Sequence, residues 1–457
     1  MESEVHLLIN RNLHSTIFEL SVPGMISSVL MTMFQLVDAY WIGKLGTVAL
    51  AAISGSAFVI WALISLTAMS ANGITTLVAQ NIGGLKINAA RLSAGHGLIL
   101  NTGIAIALSV IVFLFQDTLF AAMGFSDSVS DDARQYLSII SAGLFLLFGF
   151  TGLEAVFRGL GDTFTPTLII AITLVLNAIL DPVFIFGWFG LPELKIGGAA
   201  LATVLSHGVA VLICLYFLRK KHFNPDFKLR IEWPIIRRIL SIGLPIATGG
   251  FIFSFIYIFL TNIISKFGMP AVAAIGIGHR IEGVAWFACV GFSVAAATLV
   301  GQNVGAGRIK EAQRAAWWVN GYGVIVLLIV SIIFYVFPAE LMGIFTNDQI
   351  VRAYGVEYLR IVAIFEIFLG FEVIMEGAFS GAGYTLPVML VNVPLSAARI
   401  PLAWYLSVHL DWGINGVWWA IALSTFLKGF INAILFSAGL WKRKIPDQNN
   451  AFPTTLA

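Results

Sequence analysis

Asp38 is the only charged residue between Glu19 and Lys44, and Asp181 is the only one between Asp162 and Glu193. Both stand in apolar runs long enough to enter a bilayer. An ionisable group there is costly, so it usually faces protein or water and serves a function. Asn177 lies one helical turn before Asp181, so the two project from the same helix face. Pro182 follows, removing a backbone hydrogen bond and freeing a carbonyl. Thr203 supplies a hydroxyl from the next apolar run. Two carboxylates, an amide and a hydroxyl can accept a proton or coordinate a small hard cation such as Na⁺. The alternative is that each Asp simply accepts hydrogen bonds from neighbouring helices.

Other polar groups in apolar surroundings extend this pattern. Phe150, Glu154 and Phe157 follow helical spacing and share a face. With Gln35, Tyr40, Met31 and Met33 they are candidates for lining a substrate cavity, because aromatic and Met side chains suit adaptable binding; each is equally suited to core packing. Arg158, four residues after Glu154, can instead form a same-face ion pair with it. Glu372 and Glu376 share a face and, with Glu282 and Glu366, make the second half acidic as well. These acids can attract a cationic substrate or pair with Arg280 and Arg399. No nucleotide-binding loop, metal-enzyme cluster or nucleophile–base arrangement is present, so the reading is a non-enzyme without a cofactor. Cys214 and Cys289 sit in apolar runs and read as inert buried thiols.

The elements that must hold these groups follow from composition. The 457 residues are 59% hydrophobic and 11% charged, far from the quarter or so charged in soluble domains. No charge at all occurs between Lys44 and Lys86. Apolar runs of this length predict membrane-spanning helices. Twelve are expected, at 16–42, 48–80, 90–115, 135–160, 164–188, 196–218, 238–265, 270–300, 312–337, 354–380, 386–409 and 413–440. An even number of spans puts both termini on one side. Lys and Arg concentrate there, in Arg11, Lys86, Arg91, Arg158, the stretch Arg219–Arg238, Arg308–Arg314 and Lys442–Lys444. The opposite loops carry only Lys44, Arg134, Lys195, Lys266 and Arg352. This bias predicts cytoplasmic termini. The segment Met1–Glu19 lacks the basic start, apolar run and cleavage site of a secretory signal.

The chain also repeats itself at an offset of 222 residues. Thr76–Asn81 reads TLVAQN and Thr298–Asn303 reads TLVGQN. Pro23 lies opposite Pro245, and Glu154, Phe157, Gly159, Gly161 and Thr163 lie opposite Glu376, Phe379, Gly381, Gly383 and Thr385. The glycine-rich Gln80-Asn81 and Gln302-Asn303 motifs read as helix ends and turns rather than substrate contacts. A repeat of six spans must enter twice from one side, making a parallel duplication. The expected fold is all-α and integral to the membrane: two pseudosymmetric six-helix bundles facing a central cavity. The expected domains are an N-terminal lobe at 1–218, a basic cytoplasmic linker at 219–237, a C-terminal lobe at 238–441 and a cytoplasmic tail at 442–457. The halves are chemically unequal, since Leu260 stands opposite Asp38, and, after a three-residue deletion, Ile400-Pro401 stands opposite Asp181-Pro182.

Several phrases together resemble the multidrug and toxic compound extrusion (MATE) family: Phe34-Gln35-Leu36-Val37-Asp38, Ala79-Gln80-Asn81-Ile82-Gly83, Phe157-Arg158-Gly159-Leu160-Gly161-Asp162, Leu176-Asn177-Ala178-Ile179-Leu180-Asp181-Pro182 and Gly301-Gln302-Asn303. The resemblance covers nearly all twelve spans. The Asp38 with Asn177/Asp181 pattern is similar to the DinF-like branch. That likeness makes Asp38, Asn177, Asp181 and Thr203 the cation-coupling site, for H⁺ or Na⁺. The NorM-like branch carries an acid in its seventh span, whereas Leu240–Phe267 has none. Glu154 stands where some DinF-like members carry an amide. The resemblance implies a monomeric cell-membrane antiporter exporting an amphipathic, cationic organic compound, with membrane lipids around it and no nucleic-acid partner. Its candidate substrate cavity is Gln35, Tyr40, Phe150, Glu154, Phe157, Glu282, Glu372 and Glu376. The alternatives are a flippase for lipid-linked precursors, which would be expected to hold more basic residues in its cavity, and a dedicated metabolite exporter.

Overall fold

The computed structural model describes residues 8–122, 127–227 and 231–444. Residues 228–230 of the linker, with Lys228 and Arg230, and 445–457 of the C-terminal tail lie outside the described residues. The first half of the chain forms α1 (Leu13–Gly43), α2 (Thr47–Gly83), α3 (Ile87–Ala122), α4 (Asp127–Ala142), α5 (Leu144–Leu160), α6 (Phe164–Phe186) and α7 (Lys195–Lys220). The second half forms α8 (Trp233–Ser265), α9 (Met269–Gly305), α10 (Ile309–Val336), the short α11 (Pro338–Gly343), α12 (Gln349–Ala382), α13 (Leu386–Ala397), α14 (Arg399–Trp404) and α15 (Ile414–Ser437). No strand occurs among the described residues.

Nine of the described helical segments are long and apolar enough to cross a bilayer. The pair α4–α5, bent by 50° at Gly143, makes a tenth span. At 37 and 34 residues, α2 and α12 are long enough too, because a span needs about 20 residues. The twelve expected runs are therefore twelve helical spans. The eleventh is broken: α13 passes into α14 at Ala398, and α14 into a single π turn, Tyr405–His409. Pro394 lies inside α13 and Pro401 inside α14, and each removes a backbone donor from the helix ladder.

The repeat is visible in local geometry. α5 and α12 end at repeat-related glycines, Gly161 and Gly383, with φ of 85° and 78°. Glycine takes this left-handed cap without a Cβ penalty. Two residues earlier, a Cβ on Gly159 would sit 2.9 Å from the Thr75 carbonyl oxygen, and one on Gly381 would sit 2.3 Å from that of Ala297. Thr75 and Ala297 are themselves related by the same offset. The fourth span of one repeat and its counterpart in the other thus press against the second span of their own repeat at equivalent points.

The chain divides into two compact units. One comprises Met1–Ser21, Ala79–Leu85 and Thr248–Ala457; the other comprises Val22–Val78 and Lys86–Ala247. In the first, the ends of α2 and α9 meet backbone to backbone. A Cβ on Gly83 would fall 1.9 Å from the Gln302 carbonyl oxygen, and one on Gly305 would fall 1.8 Å from that of Gln80. Only glycine permits this reciprocal approach. The Gln80 side chain donates from Nε2 to the Gly381 carbonyl at 2.8 Å, so the duplicated motif fastens helix ends. This unit's core gathers Leu260, Ile264, Ala274, Tyr358, Val417 and Trp418. The other unit's core gathers Ile42, Ala52, Phe120, Leu137, Ile185 and Ala199. Polar side chains also tie its helices together. Asn101 on α3 donates to the Phe148 carbonyl on α5 and accepts from Ser70 Oγ on α2, both at 2.5 Å.

Candidate functional site

α1, α6 and α7 bring Asp38, Asn177, Asp181 and Thr203 together inside the unit formed by Val22–Val78 and Lys86–Ala247. Asn177 and Asp181 are fully buried and Thr203 is 6% exposed. The helical turn between them lets Asn177 Nδ2 donate to Asp181 Oδ1 at 3.2 Å. Thr203 Oγ1 donates to Asp38 Oδ2 at 3.4 Å, joining residues 165 apart in sequence. Asp38 lies close enough to Asp181 and Asn177 to interact with both electrostatically. Asp38 Oδ1, Asp181 Oδ2 and Asn177 Oδ1 are buried and find no donor among the described residues. Neither carboxylate forms an ion pair with a described Lys, Arg or His. Asp181 is fully buried and Asp38 half-buried, and two carboxylates this close, with no cationic partner, are chemically suited to share a proton or a cation.

One further group, Tyr136, approaches this cluster and stands apart from the motifs that singled out the acids. Tyr136 on α4 is buried and lies within electrostatic reach of both Asp38 and Asp181. Ser206 follows Thr203 by one turn of α7, is fully buried, and its hydroxyl has no partner among the described residues. A Tyr in an apolar run is unremarkable in sequence; only helix packing brings Tyr136 near the acids. Next to Thr203, His207 Nδ1 contacts the Thr203 carbonyl at 2.8 Å, and Phe34 and Phe150 pack edge-on against its ring.

The remaining candidates are dispersed. Gln35 and Tyr40 are exposed on α1, and Tyr40 lines an apolar cavity of about 350 Å³ with Met33, Leu36, Val37, Trp41 and Ala178. That cavity adjoins the acidic cluster through Val37 beside Asp38 and Ala178 beside Asn177. Phe150 is 3% exposed and Phe157 is fully buried on α5. Glu154, also buried, forms the same-face pair with Arg158. Cys214 and Cys289 are free and buried.

In the other unit, Glu282 accepts from Tyr358 Oη at 2.6 Å. Glu376 accepts from Asn392 Nδ2 at 3.4 Å, and Asn392 accepts in turn from Asn432. Glu372 is paired by Lys428, 2.5 Å away. Arg280 and Arg399, which the sequence offers as one of two alternatives for these acids, do not pair with Glu372. Arg280 is exposed, and Arg399 is buried among hydroxyls, donating to Ser424 at 3.0 Å, Thr425 at 3.0 Å and Tyr257 at 3.3 Å. The nearer ammonium of Lys428, on the helix facing α12, reaches Glu372 instead.

The MatE family model matches residues 23–183 and again 245–405, the second match beginning and ending 222 residues after the first. The chain belongs to the MatE family. This MATE protein is therefore a multi-pass membrane transporter built from two copies of one module. It is 28% identical over 437 residues to the probable multidrug resistance protein NorM of Thermotoga maritima, covering 94% of this chain and 93% of that one. It is 27% identical over 437 residues to a FAD transporter of Shewanella oneidensis, covering 93% and 94% of the two chains. Its fold matches a MATE crystal structure in the bent conformation with a TM-score of 0.90 at 23% identity, covering 97% of this chain and 99% of that chain.

Proposed function

We propose that this MATE transporter is a cation-coupled multidrug exporter of the cell membrane, with both termini cytoplasmic. It exchanges inward H⁺ or Na⁺ for an amphipathic, cationic organic compound and works as a monomer. The observation that carries this reading is the Asp38–Asp181 pair, half-buried and buried, which with Asn177 presents three buried oxygens without a donor among the described residues and has no cationic side chain paired to it. A proton shared between the carboxylates satisfies the cluster. So does a Na⁺ held by the oxygens of Asp38, Asn177, Asp181 and Thr203, since hard cations take oxygen ligands. The ion drives transport by binding one arrangement of α1 and α6 more tightly than another. The apolar cavity at Met33, Tyr40 and Trp41 is walled by the same two helices, which gives ion binding a direct route to the shape of a substrate surface. Each uncompensated inward charge supplies about 2.3 kcal/mol per 100 mV, equivalent to a roughly 40-fold concentration ratio.

The test is efflux of a fluorescent organic cation from proteoliposomes under a pH gradient or a Na⁺ gradient alone. Wild-type protein responds to one of them, and D38N and D181N proteins, inserted normally, lose the response. Undiminished ion-driven efflux in both variants overturns the reading. A second reading, a dedicated exporter of an anionic metabolite, draws support from the FAD transporter relative and from the buried cation Arg399, which is held by hydroxyls rather than by a described acid. Gradient-driven movement of FAD, with no organic cation moved, would favour it.

A further inference from the structure

We propose that the N-terminal end of α8 carries a binding site for the headgroup of an anionic phospholipid. A cavity of about 720 Å³ opens there, lined by Trp233, Ile236, Arg237, Arg238, Leu240 and Ser241. The spacing of Trp233, Arg237, Leu240 and Ser241 places them on one helix face. The opposite face is pinned: a Cβ on Gly243 would fall 1.5 Å from the Met69 carbonyl oxygen, and one on Gly73 would fall 2.6 Å from Ile239. α8 therefore cannot rotate to bury its basic face against α2.

The chemistry of the cavity is that of a phosphate diester at a bilayer surface. Neither Arg237 nor Arg238 forms an ion pair with a described residue. Arg238 Nη2 is buried and has no hydrogen-bond acceptor among the described residues, although a guanidinium is suited to bind phosphate oxygens in pairs. Ser241 donates its hydroxyl proton to the Arg238 carbonyl at 2.8 Å, which leaves the guanidiniums as the free donors. The only adjacent acid, Glu232, forms no ion pair with either arginine among the described residues; its backbone N–H donates to His96.

Position selects a lipid over a soluble anion. α8 has 33 residues, about 50 Å of helix against a hydrocarbon core of about 30 Å, so its first turns stand at headgroup level. Trp233 is 70% exposed there, as expected of an aromatic side chain in the interfacial belt. Ile236 and Leu240 extend the cavity with apolar wall for the upper acyl chain. The leaflet is the cytoplasmic one if the orientation proposed above holds, and that leaflet is the one rich in anionic lipid.

The test is native mass spectrometry of the full-length transporter, stripped of lipid and offered phosphatidylglycerol and phosphatidylcholine in equal amounts. The wild type is expected to retain phosphatidylglycerol about 30-fold better, the worth of two basic groups at an anionic surface. R237Q/R238Q loses this preference, while R219Q/K220Q, which removes two exposed charges elsewhere on the linker side, keeps it. Equal retention of both lipids by the wild type overturns the proposal without reference to any variant. An equal loss in R219Q/K220Q overturns it in favour of diffuse surface charge. Displacement of phosphatidylglycerol by millimolar inorganic phosphate overturns the assignment to a lipid.

Discussion

Substitution of Lys428 by Met is expected to destabilise the transporter by about 3–5 kcal/mol, the cost of leaving one partner of a buried ion pair uncompensated. The Lys428 side chain is 2% exposed and that of Glu372 is 13% exposed, with 2.5 Å between Nζ and Oε1. Glu372 Oε2 has no other hydrogen-bond partner among the described residues, so nothing else takes over when the ammonium is removed. Glu376 lies on the same face of α12 and supplies no cation that could replace Lys428. Met preserves most of the Lys volume, so the loss reports charge rather than a cavity. The double variant E372M/K428M removes both charges and should recover most of the stability, because well-packed apolar residues in place of a buried pair are often neutral or better. The coupling between the sites is then a few kcal/mol in a double-mutant cycle. Thermal unfolding of the detergent-solubilised protein, followed by loss of the monodisperse chromatographic peak, measures all four proteins. The reasoning is refuted if K428M is as stable as wild type, or if E372M/K428M is as unstable as K428M.

Other consequences are checked by the same means. Gly305→Ala places a methyl 1.8 Å from the Gln80 carbonyl oxygen and should cost about 1–3 kcal/mol by overpacking. Gly276→Ala, with nothing within 4 Å of the new Cβ, should be neutral or gain up to about 1 kcal/mol from helix propensity; equal effects would contradict the close approach of α2 and α9. Asn101→Leu severs two interhelical hydrogen bonds and should lower stability by about 1–2 kcal/mol without changing ion dependence; an unchanged melting temperature would refute it. Tyr136→Phe deletes only a hydroxyl near the acidic pair. It should shift the ion concentration for half-maximal efflux several-fold while leaving folding intact, and an unmoved ion dependence would exclude Tyr136 from the site.

Much of this molecule is legible along the chain. Span positions come from apolar run length, and the parallel duplication comes from repeated phrases such as TLVAQN and TLVGQN. Asp38 and Asp181 identify themselves as solitary charges in apolar runs. These signals are local, because transfer from water to lipid acts residue by residue. The sequence also determines which glycines recur, as with Gly159 and Gly381, before any neighbour is known.

Partnership is another matter. From the sequence, Glu372 can attract a cationic substrate or pair with Arg280 or Arg399; helix rotation puts Arg280 at the surface and delivers Lys428, 56 residues on. Arg399 stands one residue before Ile400, which lies opposite Asp181 in the repeat, yet packing surrounds it with hydroxyls. The same applies to Tyr136, whose approach to the acidic cluster depends on how α4 is turned. A helix offers every residue some direction around its axis, and sequence periodicity ranks those directions only by polarity. In spans apolar on nearly all sides that ranking is weak. Close packing of small residues then sets the rotation, and only the tertiary structure decides which buried charges meet.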